Sequence, residues 1–280
     1  MQTLKTFSND NSKIIIMIDV LKRNNVKILG QGNQTMIFAH GFGCDQNTWR
    51  YVIDSFKDSY KIVLFDYVGA GKSDLDSYDS KKYNSLKGYA NDIIEICEVL
   101  NIKDAIFVGH SVSSMIGMLA AIEQPSYFSK MIFLGPSARY IHDNDYNGAM
   151  NQEDLLALLE VMDSNYLGWS QQMAPAIMGN PDKPSLGEDL TNSFCATNPD
   201  IAKDFARVTF LSDNRADLPL LQVQSLTLQC AEDVLAPEHA GQYIYENTPG
   251  NTMIQLKATG HCPHLSAPDE IITLIKSFIQ

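Results

Sequence analysis

Four side chains in this sequence have the types and the order needed for nucleophilic catalysis by a serine. They are Ser111, then Asp233, then the neighbouring histidines His261 and His264. A serine hydroxyl is a weak nucleophile, so it needs a base that removes its proton and an acid that orients the base. The sequence therefore favours acyl chemistry at Ser111, with Asp233 as the acid and one of the two histidines as the base.

The sequence around Ser111 predicts a sharp turn between a strand and a helix. The apolar run 105–108 is typical of a buried strand, and residues 112–124 predict a helix. Such a turn exposes the serine hydroxyl and points the first amides of the helix at whatever the hydroxyl attacks. The usual motif is G-x-S-x-G, whereas this one ends in Ser113, which is still a small residue. The motif alone is moderately specific, so the rest of the chain must support it.

The positions of the two histidines do not decide which of them is the base. Both lie in His-Cys-Pro-His, in the loop after the predicted strand 252–256. This sequence could also suggest a metal site, but no second cluster of ligands accompanies it, so we expect neither zinc nor a cofactor. Asp233 follows the predicted strand 225–230 and lies too early to cap a helix at Pro237. We interpret it as the orienting acid.

Two backbone amides are candidates for an oxyanion hole, which needs donors that are fixed before the reaction begins. One is Val112, directly after the serine, and the other is Phe42, in the His-Gly-Phe-Gly segment after an earlier strand. His40 and His110 flank the site, and we interpret them as structural. Asp66 precedes Gly-x-Gly, and we interpret it as a carboxylate that stabilises a turn.

Alternating strands and helices predict a parallel sheet with crossover helices, which is an α/β fold. The Ser…Asp…His order is that of the α/β-hydrolase fold. The predicted strands cover 35–39, 60–67, 105–108, 131–134, 225–230 and 252–256. The predicted helices outside residues 137–213 cover 47–56, 86–100, 112–124, 237–246 and a last segment from 268.

Residues 137–213 interrupt this alternation with helices only, at 153–162, 166–178, 186–194 and 199–211. We interpret this block as a cap over the carboxyl edge of the sheet, where ligands bind in such folds. The core would then comprise 23–136 and 214–280. Most large apolar residues of the cap are expected to be core, and some must face the serine, with these as the candidates: Tyr140, Trp169, Met173, Phe194 and Phe210.

Composition and charge exclude several classes of function. The chain has 280 residues, 45% of them hydrophobic, and a formal net charge of -12. An acidic chain is a poor partner for nucleic acid or anionic membranes, which need basic patches. No apolar run approaches the roughly 18 residues of a membrane span. Five scattered cysteines, an odd number, indicate reduced thiols and a cytoplasmic location.

Residues 1–22 are polar apart from the run 14–18, which is too short for the core of a signal peptide, roughly 7 to 15 residues. We expect an N-terminal extension here. A mis-assigned start codon near Met17, a disordered tail and an extra edge strand at 14–18 all stay open.

The chain resembles the RsbQ-type α/β hydrolases, bacterial proteins related to the plant karrikin and strigolactone receptor hydrolases. The resemblance runs from about Asn24 to the C-terminus. The matching segments are FAHGFGCDQNTW from Phe38, LFDYVGAGKSDL from Leu64, VGHSVSSMIGMLA from Val108, NYLGW from Asn165, LQCAEDVLAP from Leu228 and GHCPHLSAPDE from Gly260.

The resemblance implies roles that spacing alone leaves open. It places the base on His261 rather than His264, the nucleophile on Ser111 and the acid on Asp233. It also implies a cap of four helices. The oxyanion amides fall on Phe42 and Val112, and the substrate pocket on Trp169, Phe210, Tyr140 and Met173.

We therefore expect a cytoplasmic serine hydrolase that cleaves small hydrophobic esters or lactones. The resemblance also implies a part in regulating a general-stress sigma factor, with a PAS-domain phosphatase as the partner. The alternative is a ligand-sensing module that activates this phosphatase, with slow or incidental hydrolysis, and an intact triad does not separate the two. A C–C bond hydrolase ranks last, because no arginine clamp for a diketone acid is evident.

Overall fold

Strands from both halves of the chain build one mostly parallel sheet in the computed structural model, which describes residues 19–280. The strands are β1 (Lys27–Leu29), β2 (Thr35–Ala39), β3 (Lys61–Leu64), β4 (Ala105–His110), β5 (Phe128–Leu134), β6 (Ser225–Gln229) and β7 (Asn251–Gln255). Their order across the sheet is β1-β3-β2-β4-β5-β6-β7. Only β1 pairs antiparallel, with β3. The predicted mostly parallel sheet is confirmed.

Helices cover both faces of the sheet, and four of them follow one another between β5 and β6. Apart from the helical residues 19–23, the α-helices of the described chain are, in order, α1 (Leu86–Val99), α2 (Val112–Glu123), α3 (Gln152–Ser164), α4 (Tyr166–Met178), α5 (Pro184–Ala196), α6 (Pro199–Phe210), α7 (Glu238–Asn247), α8 (Pro263–Ser266) and α9 (Pro268–Ile279). We call α3–α6 the cap helices. None of the described helices is long and apolar enough to cross a membrane.

Alternate residues of the central strands enter two separate apolar cores. In β4, Phe107 packs in the core that includes α1, α2 and the cap helices, whereas Ile106 and Val108 pack in the core that includes α9. Successive side chains of a strand point to opposite faces, and here both faces are covered. The sequences of the central strands are therefore continuous apolar runs and do not alternate between apolar and polar residues.

Some boundaries differ from the sequence predictions for local reasons. The helix predicted at 47–56 is two short 3₁₀ turns, at Gln46–Trp49 and Ile53–Ser55. The strand predicted at 60–67 ends at Leu64, before a loop that passes the site. The edge strand β1 was not predicted, because two of its three residues are the exposed apolar side chains Ile28 and Leu29 without alternation.

The predicted N-terminal extension lies mostly outside the described residues, as do the open alternatives at Met17 and at 14–18. Residues 19–23 are helical. Val20 is buried in the core, and Arg23 forms an ion pair with the buried Asp92. The described fold thus includes residues 19–22, which the sequence analysis assigned to the extension.

Candidate active site

Ser111 has a backbone conformation that few residues other than glycine adopt. It lies between the last residue of β4 and the first of α2, with φ 56° and ψ −126°. Its N–H donates to the carbonyl of Leu134 at 2.8 Å, and its carbonyl accepts from Ser114 N–H at 2.9 Å. Such strain costs on the order of 1–3 kcal/mol and persists where the surroundings fix it. The predicted sharp turn between strand and helix is therefore present.

The small residue at the end of the serine motif is explained by its contacts. Ser113 is fully buried, and its hydroxyl donates to the carbonyl of His40 and pairs with the Tyr67 hydroxyl. The start of α2 also runs close to β4, since a methyl group on Gly109 would lie 2.7 Å from the Ser113 carbonyl. A serine satisfies both conditions, because it is compact and its polar group is paired.

The structure brings Ser111, His261 and Asp233 together in one hydrogen-bonded row. His261 Nε2 lies 2.7 Å from Ser111 Oγ, and His261 Nδ1 lies 2.7 Å from Asp233 Oδ2. All three side chains are buried. His264 instead pairs with Thr48 Oγ1 at 2.7 Å and packs against the Trp49 ring. The geometry thus separates the two histidines, which their positions in the sequence did not.

The surroundings of Asp233 keep its carboxylate ionised. Its Oδ1 accepts hydrogen bonds from the N–H groups of Leu235 and Ala236, at 2.9 and 3.0 Å. Burial opposes ionisation, but the neighbouring His261 and these N–H donors outweigh it, so the pKa of Asp233 is lowered. An ionised Asp233 holds the proton of the imidazole on Nδ1 and leaves the lone pair of Nε2 facing Ser111.

The loop that carries His261 is tied to the end of cap helix α4. The His261 N–H donates to the carbonyl of Ile177 at 2.9 Å. Asn180 Nδ2 donates to the carbonyls of Met178 and Thr259, at 2.7 and 3.0 Å. Gly260 has φ +78°, and a methyl group there would collide with the Met178 carbonyl oxygen. The base loop and the cap therefore form one packed unit.

His110 and His40 make contacts that give them structural roles. His110 Nε2 donates to the carbonyl of His261 at 2.7 Å. Burial and the neighbouring His261 lower the pKa of His110 to about 3, so this imidazole is neutral. His40 donates from Nδ1 to the Gly41 carbonyl and accepts at Nε2 from the Tyr67 N–H.

The carboxylate of Asp66 stabilises a turn by accepting from several surrounding N–H groups. Its two oxygens accept from the backbone N–H of Gln46 and Lys72 and from the side-chain amide of Asn25. These bonds hold the loop after β3 against the loop after β2.

The two amides predicted as oxyanion donors lie on either side of the serine turn. Neither Phe42 N–H nor Val112 N–H makes a hydrogen bond within residues 19–280. The loop before Phe42 packs directly on Ser111, because a methyl group on Gly41 would lie 3.2 Å from Ser111 Cβ. Free backbone donors beside a nucleophile are the arrangement that stabilises a tetrahedral oxyanion. Their role in this chain stays a prediction.

A narrow, mostly apolar space opens onto the serine. The side chains around it are closely packed and leave a cavity of only about 10 Å³. A cavity of this size has room for roughly one water molecule. The lining comes from the core loops and from three cap helices: Phe42, Cys44, His110, Ser111, Ile177, Leu190, Phe194, Thr209, Phe210, Leu235, His261 and Cys262.

The four predicted pocket residues occupy different positions around this space. Phe210 lines it. Tyr140 is buried with its ring 5.1 Å from that of Phe210, and the Trp169 ring lies 6.2 Å from that of Phe42. Met173 is half-buried and packs against the edge of the core. Phe210 therefore lines the space itself, and the Tyr140 hydroxyl faces the side chain of Ser111.

Sequence analysis did not assign seven of the lining residues to the site. Cys44, Leu235 and Cys262 each lie within two residues of a predicted site residue, so sequence proximity was the available signal. Ile177, Leu190 and Thr209 lie on cap helices, where only packing decides which face is inward. Phe194 was predicted among the large cap residues without a decision between core and site.

The cysteines beside the serine are not competing nucleophiles. Burial raises the pKa of Cys44 to about 12 and that of Cys262 well above its ordinary value. Both are therefore protonated thiols, which attack carbonyl groups poorly. All five cysteines are unpaired. Within the described residues, no group of three or more His, Cys, Asp or Glu side chains could hold a metal ion.

A model of the family described as "Alpha/beta hydrolase family" matches residues 36–274. The chain belongs to the alpha/beta hydrolase family. The predicted fold class, an α/β-hydrolase fold with inserted cap helices, is confirmed by this match and by a solved hydrolase from Oleispira antarctica. That structure has a TM-score of 0.92 and 41% identity, over 94% of this chain and 97% of the other.

Two named relatives of this hydrolase are plant proteins. A karrikin insensitive 2 receptor of Petunia hybrida is 39% identical over 93% of this chain and 97% of its own length. A strigolactone esterase of Arabidopsis thaliana is 35% identical over 92% of this chain and 97% of its own length. The plant relationship implied by the sequence motifs is therefore confirmed, whereas the narrower RsbQ-type assignment stays a prediction.

Proposed function

We propose that this protein hydrolyses small hydrophobic esters or lactones through a covalent acyl-enzyme. The observation that carries the proposal is the row of two 2.7 Å hydrogen bonds from Ser111 through His261 to Asp233. The row ends at an ionised carboxylate, so the imidazole is oriented as a base. The esterase named among the relatives supports the same reaction class.

In the acylation step, Ser111 Oγ forms a bond to the carbonyl carbon while its proton passes to His261 Nε2. The carbonyl oxygen becomes an oxyanion, which the N–H groups of Phe42 and Val112 are positioned to receive. The C–O bond to the leaving alcohol then breaks, and His261 returns the proton to that alcohol. Water repeats the sequence on the acyl-enzyme, which releases the acid and restores Ser111.

The lining of the site limits the substrate to a small, mostly apolar molecule. Phe42, Phe194 and Phe210 surround the serine, with ring centroids of Phe42 and its two partners 5.6 and 5.8 Å apart. The space is too narrow for an ester as it stands. Substrate entry therefore requires these side chains or the cap helices to move outward.

The decisive experiment is hydrolysis of p-nitrophenyl butyrate by the purified protein and by Ser111→Ala. We expect turnover by the wild type and a loss of at least about 10³-fold in the variant, because removing the nucleophile leaves only binding and the oxyanion donors. Intact-protein mass spectrometry should find the butyryl adduct on wild type alone. Wild-type turnover in Ser111→Ala would contradict the proposal. The circular dichroism spectrum of the variant provides the folding control.

A second candidate function is ligand sensing, which the receptor-named relative favours. In this alternative the same site binds a small hydrophobic ligand, and the bound form activates a PAS-domain phosphatase that controls a general-stress sigma factor. The resemblance to RsbQ-type proteins supports this partner, and the five unpaired cysteines support a cytoplasmic location. Phosphatase activity measured with wild type and with Ser111→Ala would separate sensing from turnover, since sensing alone survives the substitution.

A further inference from the structure

Within residues 19–280, one polar side chain in the lining of the site has no hydrogen-bond partner. Thr209, on α6, is only 1% exposed and lines the same space as Ser111 and His261. Its Oγ1 makes no hydrogen bond within the described residues. Leaving a buried hydroxyl unpaired costs about 1–3 kcal/mol. Such a group is uncommon in a native fold and calls for a physical explanation.

The usual partner of a helical threonine is present but not used. A threonine hydroxyl in a helix commonly bonds the carbonyl four residues earlier, which for Thr209 is that of Phe205. Two other helical threonines form this bond: Thr191 Oγ1 donates to Gly187 at 2.8 Å, and Thr273 Oγ1 to Asp269 at 2.8 Å. The Thr209 hydroxyl is therefore free to bond a molecule in the space that it lines.

The other polar side chains around this space are engaged, are weak partners or can only accept a hydrogen bond. Ser111 and His261 pair with each other. His110 donates from Nε2 to a carbonyl, and its Nδ1, which also has no partner within the described residues, can only accept a hydrogen bond because the ring is neutral. The lining thiols are weak hydrogen-bonding groups. Among the lining side chains, Thr209 is thus the one whose unpaired hydroxyl can both donate and accept a hydrogen bond within the described residues.

We propose that Thr209 Oγ1 hydrogen-bonds a second oxygen of the substrate, separate from the scissile ester or lactone group. This inference rests on the proposed hydrolysis, which places the ester at Ser111. The substrate class is then a small ester or lactone that is apolar apart from one further ether, carbonyl or hydroxyl oxygen. A pure hydrocarbon chain in the same space would leave the hydroxyl unpaired, so the site discriminates against it.

Two pairs of substrates that exchange one methylene for an ether oxygen test this inference. On the acyl side the pair is p-nitrophenyl butyrate and p-nitrophenyl methoxyacetate. On the alcohol side it is butyl acetate and 2-methoxyethyl acetate, with acid release followed by titration. The measured quantity is the ratio of kcat/KM within each pair, compared between wild type and variants, so that intrinsic reactivity cancels.

We expect Thr209→Val to lower the ratio of kcat/KM for the ether substrate to kcat/KM for the hydrocarbon substrate by about fivefold in at least one pair. This is the effect of losing one hydrogen bond. Thr209→Ser keeps the hydroxyl and should keep the ratio. The inference would be overturned if the kcat/KM ratio were unchanged in both pairs. This includes the case in which kcat/KM falls equally for both members of each pair. If Thr209→Val does not fold, Thr209→Ala removes the hydroxyl with less demand on packing.

Failure of the hydrolase proposal would be visible separately, as wild-type protein that cleaves none of the four esters. Binding then provides the test of Thr209. Ligand-observed NMR on Ser111→Ala should detect both methyl methoxyacetate and methyl butyrate. Adding Thr209→Val should weaken the binding of methyl methoxyacetate more than the binding of methyl butyrate. Equal weakening of the binding of both esters would overturn the inference without any reference to turnover.

Discussion

At the scale of single residues, burial fixes the protonation state of the imidazoles around Ser111. His110 is fully enclosed, and burial together with His261 lowers its pKa to about 3. The pKa of His264 is also lowered, mainly by burial and further by the neighbouring His110 and His261. Neutral imidazoles in these positions keep positive charge away from the base that must accept the serine proton.

The lowered pKa of His110 predicts a stability that decreases in acid. In the unfolded chain its pKa is about 6.5, so between pH 6.5 and about 3 the unfolded state binds a proton that the folded state does not. The contribution to stability is complete above pH 6.5 and decreases by about 1.4 kcal/mol per pH unit below it. Urea unfolding at pH 7, 6 and 5 measures this slope.

His110→Asn is the matched variant, since asparagine can donate a hydrogen bond but does not titrate. Its free energy of unfolding should depend less steeply on pH than that of wild type across this window. Part of the slope should remain, because His264 titrates in the same direction. Parallel slopes for the two proteins would show that His110 is not held neutral by the fold.

At the scale of elements, hydrogen bonds join cap helix α4 to the loop that carries His261. Asn180 bridges the end of α4 to Thr259, and His261 itself bonds the carbonyl of Ile177. The cap therefore does more than cover the site, because an outward shift of α4 would also move the imidazole. Substrate entry and the position of the base are coupled through these few bonds.

Asn180→Ala is expected to lower kcat for p-nitrophenyl butyrate by about tenfold with little change in KM. The reason is that a misplaced imidazole slows proton transfer without altering the lining. Lys183→Ala is the control, since Lys183 Nζ joins the cap to the carbonyl of Ser266 at 2.9 Å without touching the base loop. Equal effects of both substitutions on kcat would mean that cap attachment in general, not the Asn180 bridge, matters.

At the scale of the whole molecule, one buried carboxylate joins distant parts of the chain. Asp92 of α1 is fully buried and accepts ion pairs from Arg23 at 3.1 Å and Lys82 at 2.7 Å. Its oxygens also accept from Asn24 Nδ2 and from the Tyr83 hydroxyl. The segment at 19–24 is anchored to the core by this cluster, far from the site in the sequence.

Asp92→Asn should reduce the free energy of unfolding by about 3 kcal/mol, because the remaining cations lose a buried counter-charge. The control is Asp54→Asn, which breaks the exposed pair with Lys57 and should change stability by less than about 1 kcal/mol. Urea unfolding of both variants gives the comparison. A similar loss of unfolding free energy in the two variants would show that burial does not strengthen the ion pairs of Asp92.

The sequence by itself determined the order of the elements and the identity of the residues that could react. Strand and helix periods and the serine turn depend on neighbours within a few residues, and the Ser…Asp…His order is given directly by the linear sequence. The cap helices are also visible, because the alternation of strands stops. The helix at Tyr166–Met178 was predicted with its observed limits.

Spacing left the two histidines undecided and the family resemblance favoured His261, whereas only the tertiary structure decided which cap residues line the site and that Thr209 lacks a partner within the described residues. His261 and His264 stand three residues apart in one loop, so their difference arises from what packs on each of them. The inner faces of the cap helices depend in the same way on α4, α5 and α6 meeting over the sheet. These contacts join residues far apart in the chain, and local sequence carries little information about which pairs will meet.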